Sequence, residues 1–344
     1  MFRTNFISIH HSYYDDTTLI LQEVVERPLL RCYFHSLSGQ RYENRLKFHL
    51  PNPFQEENPV IYIFESGATT GTLCIYTRHY NYNLVLWNPS TDELNVVPSS
   101  SMEFMSPYRN PYVILHGFGY DHVRDDYKII RCVILFPLNN QDLLCLNVSQ
   151  EDVQHEISYR RVWEIYSLRY YTWEELHVNM PRQCYSGLLY TDGICHWLSE
   201  NNAQHYLVSF DLSNHVFFTT FTPLQISTDI DPNFDFEDVN TELVMLNGSI
   251  ALISWYGHMT TFHISILGEL GVSESWTKLF IIGPLPYLSL YPIGARRNGD
   301  IFFEKRYGEL FFFDLNTQMI VELGGVKEAR SNIIIYKKNG GINY

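Results

Sequence analysis

Apolar residues along this chain recur in short blocks and alternations. Runs such as Leu19-Ile-Leu-Gln22, Val60-Ile-Tyr-Ile-Phe64, Thr72-Leu-Cys-Ile-Tyr76 and Leu310-Phe-Phe-Phe313 span four or five residues and are bounded by turn formers. Successive side chains of a strand point to opposite faces, so short runs of this kind predict strands buried on one or both faces. No 3.6-residue period is sustained anywhere, so helices are not expected as major elements.

Turn chemistry organises these runs into a repeat. Asp192-Gly193, Asn247-Gly248 and Asn298-Gly299 each lie between apolar runs, with the glycines 55 and 51 residues apart. Asx-Gly pairs supply the two positive φ angles of a two-residue type I′ hairpin. A second unit alternates with the first. Leu84-Val-Leu-Trp87-Asn88-Pro89-Ser90-Thr91 leads into Leu94-Asn-Val-Val97, Val208-Ser-Phe210-Asp211 into Val216-Phe-Phe218, and Leu310-Phe-Phe-Phe313-Asp314 into Met319-Ile-Val321. Each is an aromatic-bearing strand, a turn whose Asx or hydroxyl side chain can bond its own backbone, and a return strand. Trp163–Leu168 with Thr172–Leu176 forms a fourth copy. Phe262–Ile266 with Trp276–Phe280 forms a looser fifth, through Gly268 and Gly271.

From Gly193 to Asp211 is 18 residues, and from Gly299 to Asp314 is 15. The alternation therefore predicts four-stranded antiparallel sheets of about 40 to 50 residues each, the size of one propeller blade. The fold expected for residues 1–344 is all-β, a single closed β-propeller of about six four-stranded blades. A pair of β-sandwiches is the alternative. One blade is expected to be shared between the chain ends, with the strand near Asn332-Ile-Ile-Ile-Tyr336 closing the ring beside the N-terminal strands. Closure removes exposed sheet edges. Trp87, Trp163 and Phe210 occupy equivalent positions in successive copies and are expected to face blade interiors.

Composition narrows the function classes. The 53 Tyr, Phe and Trp side chains favour strands. With 24 Lys and Arg against 38 Asp and Glu, the net charge is −14, which argues against nucleic acid as the main partner, because phosphate binding needs clustered positive charge. No stretch approaches the length of apolar sequence that spans a bilayer, so a membrane is not expected as a partner either. The six cysteines contain no C-x-x-C pair, and the first ten residues lack the apolar core of a signal peptide. Reduced, mostly buried thiols in a cytoplasmic or nuclear protein are the expectation.

Candidate chemistry is sparse. His10-His11, His116 and His122 lack the spacing of a helical metal site, and His196 and His263 fall in strand patterns as packing residues. The run from Asp229 to Asp238 has five carboxylates but lacks the glycine and terminal glutamate of an EF-hand loop, and Pro232 interrupts it. No G-x-S-x-G elbow is present, and Gly117-Phe-Gly119 is not followed by a helical pattern. No catalytic residue, metal ligand or cofactor is assigned, and the chain is not expected to be an enzyme. An enzyme or carbohydrate-binding propeller stays the alternative, one that would repeat titratable groups at equivalent loop positions.

The order of motifs resembles the F-box-associated domain, type 1, of plant F-box proteins of the kelch-like and S-locus kind. The resemblance rests on Leu86-Trp87-Asn88-Pro89-Ser90-Thr91, on Gly117-Phe118-Gly119-Tyr120-Asp121 with Asp125-Asp126-Tyr127-Lys128, and on Val162-Trp163-Glu164-Ile165-Tyr166-Ser167-Leu168. Trp173, Asp192-Gly193-Ile194-Cys195-His196-Trp197-Leu198 and Ser209-Phe210-Asp211-Leu212 extend it, so that it covers about Asn5 to Tyr336. It implies a protein-binding module, the substrate-recognition part of a cullin-RING ubiquitin ligase subunit, with a Skp-type linker as second partner. That linker docks on a helical F-box rich in Leu and Pro, and no such module is read before Asn5. The chain is therefore expected to bind a protein without itself joining a ligase, as a non-ligase competitor or a truncated relative.

Two segments are the least strand-like and the best contact candidates. Ser99 to Pro111 carries Met102, Phe104, Met105 and Tyr108, adaptable and aromatic side chains of interface type. Leu224 to Val239 carries Asp229, Asp231, Asp235, Glu237 and Asp238, which would select a basic partner surface.

Overall fold

In the computed structural model the chain forms six four-stranded antiparallel sheets arranged as a β-propeller. The structure describes residues 17–25, 31–38, 42, 44–51, 61–64, 71–77, 84–105, 108–137, 160–181, 188–201, 204–223, 239–256, 260–287, 290–295, 299–305, 309–324 and 329–337. Among them there is no α-helix, only two short 3₁₀ turns, Ser101–Phe104 and Ser273–Ser275.

The first blade joins β1 (Thr17–Val25), β2 (Arg31–Ser38) and β3 (Asn44–Lys47) to the last strand, β24 (Ala329–Lys337). Leu19 pairs with Ile335 and Gln22 with Asn332, so the expected closure by the C-terminal strand is what the ring uses. The second blade is β4 (Ile61–Phe64), β5 (Leu73–Thr77), β6 (Leu84–Asn88) and β7 (Glu93–Val96). The third is β8 (Tyr108–Asp121), β9 (Asp126–Pro137), β10 (Arg160–Ser167) and β11 (Thr172–Leu176). The fourth is β12 (Leu188–Thr191), β13 (Ile194–Asn201), β14 (Gln204–Asp211) and β15 (Val216–Phe221). The fifth is β16 (Val239–Leu246), β17 (Ser249–Tyr256), β18 (Phe262–Leu267) and β19 (Trp276–Ile282). The sixth is β20 (Leu290–Ala295), β21 (Asp300–Lys305), β22 (Leu310–Asp314) and β23 (Met319–Gly324).

The core is a set of layers between blades. Ile20, Phe34 and Ile334 pack with Ile61, Ile75 and Trp87 between blades one and two. Phe64 and Leu86 meet Phe118 and Tyr166 between two and three, and Trp163 meets Trp197 and Phe210 between three and four. Leu198 with Leu252, Ile253 with Phe303, and Leu19 with Phe302 mark the remaining three interfaces. The last of these joins the sixth blade to the first and shuts the ring. Trp87, Trp163 and Phe210 are all buried in these layers, as their repeated positions predict.

Turn chemistry matches the sequence pattern at most positions. Asp192-Gly193 and Asn247-Gly248 close two-residue hairpins, with positive φ at all four residues. Asn298-Gly299 does not: Ala295 pairs with Ile301, so the connection is longer, and Asn298 lies outside the described residues. The Asx turns recur as four-residue connections. Oδ1 of Asn88, Asp211 and Asp314 accepts backbone N–H bonds from the turn that follows. The residue before the return strand is left-handed in each, at Asp92, His215 and Gln318. Ser167 and Asp121 build the same turn, ending at Tyr171 and Asp125.

Because pairing is antiparallel throughout, these tight turns all leave one face of the ring. The connections between blades, and those between second and third strands, leave the other. The first will be called the turn face and the second the connection face.

A candidate interaction face

Residues 97–105 follow β7 towards β8 on the connection face. Tyr108 opens β8 instead of belonging to a loop, and Pro111 is accommodated in that strand. The register shifts between Arg109 and Tyr112, and β8 is the edge of its sheet, the two circumstances in which a strand tolerates proline. The contact segment is thus shorter than its composition indicates.

What remains is held from below by a buried ionic network. Ser100 caps the 3₁₀ turn: its Oγ accepts from the Met102 amide (3.1 Å), while its own amide donates to Glu103 Oε1 (3.1 Å). The same hydroxyl donates to Glu164 on β10. Arg131 on β9, almost fully buried, donates from Nε to Glu164 Oε2 (3.0 Å) and from Nη2 to Glu103 Oε1 (2.8 Å). Its guanidinium lies 3.6 Å over the Trp173 ring, and Trp173 Nε1 donates to the Pro98 carbonyl (2.7 Å). One guanidinium, shared between two carboxylates, therefore ties the segment to three strands of the third blade.

The four candidate residues separate under this arrangement. Met102 and Met105 pack on the cluster of Val133, Leu135 and Val162 and serve as anchors. Phe104, between them, is 78% exposed. The structure does not bring the acidic candidates to this point: Asp229, Asp231, Asp235, Glu237 and Asp238 lie outside the described residues. The strands flanking them, β15 and β16, end on the same connection face. Arg131, Glu164 and Trp173 were not singled out from sequence as a support for the loop. The only signal was an Arg and a Glu in apolar strands, and nothing local pairs them with Ser100 and Glu103.

The buried titratable groups have structural roles. His116 donates from Nδ1 to the Ile114 carbonyl (3.0 Å) and packs edge-on against Trp163 and Trp197. Burial lowers its pKa to about 4, and that of His196, bonded to Ser209 Oγ (2.9 Å), to about 3. Burial raises the Cys74 and Cys195 thiols far above the usual range, so neither is an available nucleophile. Cys32, Cys74 and Cys195 are free thiols, while Cys145 and Cys184 lie outside the described residues. Among the described residues no three His, Cys, Asp or Glu side chains converge as a metal site, and no helix is long and apolar enough to cross a membrane.

The Gly117–Asp121 and Asp125–Lys128 motif turns out to be a seam between blades three and four. A Cβ on Gly119 would stand 2.1 Å from the Tyr190 ring, and one on Gly117 would stand 2.7 Å from Cys195. Tyr190 Oη donates to the Tyr120 carbonyl (2.7 Å) and accepts from the Gly193 amide (3.1 Å). Lys128 Nζ donates to Asp121 Oδ2 (2.7 Å) and to the Leu212 carbonyl of the next blade (2.8 Å), and Ser213 Oγ donates to Asp121 Oδ1 (2.7 Å). Burial works against the Asp121 charge, but the bonds from Lys128 and Ser213 outweigh it and hold the carboxyl well below the usual carboxylate range.

Comparison with known proteins agrees with this architecture. The profile of the F-box associated beta propeller domain matches residues 29–342. Relatives in Arabidopsis thaliana include F-box protein CPR1, 24% identical over 216 residues (58% of this chain and 48% of the relative). Putative F-box protein At3g16210 is 24% identical over 176 residues (50% and 39%), and F-box/kelch-repeat protein At3g23880 is 22% identical over 223 residues (63% and 52%). The chain spans about half the length of these curated relatives. A six-bladed ring, seamed at the motif that carries the resemblance and matched by the profile over nearly its whole length, belongs to the F-box associated β-propeller domain family.

Proposed function

We propose that this chain is a protein-recognition module that holds its partner on the connection face, as the substrate-binding part of an F-box-type ubiquitin ligase subunit does. The observation that carries the reading is Phe104. A side chain 78% exposed, on a backbone turn already tied down by the Arg131–Glu164–Glu103 network, is displayed with little backbone ordering left to pay on binding. Its setting, an aromatic flanked by anchored methionines on the face that carries the inter-blade connections, is of interface composition. The acidic segment 224–238 joins strands that end on the same face and favours a partner with a basic patch.

Affinity capture with mass spectrometry, comparing the unmodified chain with Phe104→Ala, tests this. Proteins captured by the first and lost at least tenfold by the second support the reading. An identical capture set for both chains would place recognition elsewhere. Mixing the purified chain with a Skp-type linker then separates two modes of action. A stable micromolar complex supports linker binding by these residues themselves, and no complex confines the role of these residues to partner recognition.

A further inference from the structure

The turn face of the third blade presents a second surface that its own fold does not use. The turns at 122–125 and 168–171 lie side by side because β9 and β10 pair Lys128 with Ser167. Arg169 Nη1 donates to the Arg124 carbonyl (2.7 Å), and the Arg169 amide donates to Asp126 Oδ1 (2.8 Å), which fastens the two turns together. Arg124 reaches the Ser213 carbonyl, so the neighbouring blade's turn is fastened to them as well. On this rigid base Val123 is 78% exposed, Tyr170 65% and Tyr171 61%.

Two features separate this patch from ordinary scattered exposure. The first is conformational. Four of the five equivalent turns end in a polar left-handed residue, Asp92, Asp125, His215 or Gln318, types that tolerate or can solvate that geometry. The third blade places Tyr171 there, at φ 53°, where a bulky side chain carries a steric penalty without burial in return. The second is electrostatic. In a chain of net charge −14, Arg169 is exposed and has no carboxylate within ion-pair distance among the described residues. Its Nη1 is engaged by a carbonyl, which leaves the rest of the guanidinium for an incoming oxygen pair. Tyrosine and arginine together are the side chains that dominate binding energy at interfaces.

We infer that Val123, Arg169, Tyr170 and Tyr171 form a second binding surface, on the face opposite Phe104, for a peptide segment that places a carboxylate beside an aromatic or branched apolar side chain. The carboxylate pairs with Arg169, and the apolar side chain lies against Val123 and the two tyrosines. A basic segment is rejected by the same guanidinium. The inference does not depend on what the connection face binds.

Panning the full chain against a displayed library of random twelve-residue peptides tests it, with enriched peptides synthesised and titrated by fluorescence anisotropy. The expected pool carries Asp or Glu next to Phe, Tyr, Trp, Leu or Ile. Arg169→Ala and Tyr170→Ala should each weaken binding at least tenfold, and Phe104→Ala less than twofold. Replacing the peptide carboxylate by an amide should match the Arg169→Ala loss. No enrichment, enriched basic peptides, equal binding by all variants, or a concentration-dependent dimer that occludes these residues would each overturn the proposal. Tyr171→Asn supplies an independent reading. It should lower peptide affinity at least fivefold while raising the melting temperature by about 1–2 °C through relief of the left-handed strain. A lower melting temperature would show that Tyr171 is kept for packing, and would remove the conformational argument.

Discussion

On the turn face, the same chemistry recurs from blade to blade. Asn88, Asp121, Asp211 and Asp314 each cap a four-residue turn with a side-chain oxygen, and each turn ends on a left-handed residue. On the connection face no such repeat is found among the described residues. Residues 97–105 are held by a single ionic network, and the connections differ in length and composition along the sequence. The cause is geometric. A tight hairpin must match the twist of its two strands, which leaves few residue types able to close it. A connection between blades only has to span the gap, so its sequence is free to carry recognition. Within the turn face the third blade is the exception, because the seam residues Asp121 and Lys128 and the exposed Tyr170 and Tyr171 share the same two turns.

If the turn face is the structural face, the largest loss should come from its seam. Asp121→Ala leaves the Lys128 ammonium buried against the Leu212 carbonyl without its counter-charge, and should cost about 3–5 kcal/mol in denaturant unfolding. A cost below about 1 kcal/mol would mean that water reaches Lys128 and that the seam is open.

Acid should expose the layer beneath that seam next. His116 and His196 have pKa values of about 4 and about 3 in the fold, against about 6.5 in the unfolded chain. The fold therefore keeps both neutral, and the unfolded chain takes up protons first. Stability is full above about pH 6.5 and falls as the pH drops towards 4, by at most about 1.4 kcal/mol per pH unit for each histidine. Urea midpoints at pH 7.5, 6 and 5 measure this, and His116→Phe should flatten part of the slope. Equal slopes in the two chains would remove His116 from the account.

Gly119→Ala should cost about 1–3 kcal/mol, since the new methyl must displace the Tyr190 ring that bonds the Tyr120 carbonyl. A neutral outcome would show that the two blades slide apart easily. Phe104→Ala should be the smallest, within about 0.5 kcal/mol of the parent in the same unfolding assay. Thermal denaturation of that variant sharpens the contrast most cheaply: a clear fall in melting temperature would make Phe104 part of the fold, and with it the connection face a structural one.

Much of the fold was legible in the sequence, because its information is local. Asp192-Gly193 and Asn247-Gly248 announce their hairpins through backbone angles that few other residues adopt. The aromatic positions Trp87, Trp163 and Phe210 announce burial by recurring at the same place in each repeat. Even the closing strand near Asn332–Tyr336 was legible, once the copies were counted and one blade was left incomplete. Where the local reading failed, an unseen neighbour decided the outcome. Asn298-Gly299 carries the same dipeptide as its counterparts, yet Ala295 pairs with Ile301 and opens the turn. Pro111 reads as loop, yet it lies in a strand because a register shift and a sheet edge excuse its missing donor.

The candidate site was legible only as composition. That residues 99–111 hold methionines and aromatics is a property of the sequence; which of them is displayed is not. Met102 and Met105 turn inward because Val133, Leu135 and Val162, supplied by β9 and β10, offer an apolar surface there. Phe104 is left outside because Arg131 draws Glu103 down beside Glu164. Likewise the Gly117-Phe-Gly119 motif is conspicuous in the sequence, but its purpose is Cys195 and Tyr190, some 70 to 80 residues further along. Turn geometry and strand alternation depend on residues within a few positions of one another, and a single sequence states them directly. Burial, ion pairing and close approach depend on residues brought together by ring closure, and their partners are defined only when the blades pack.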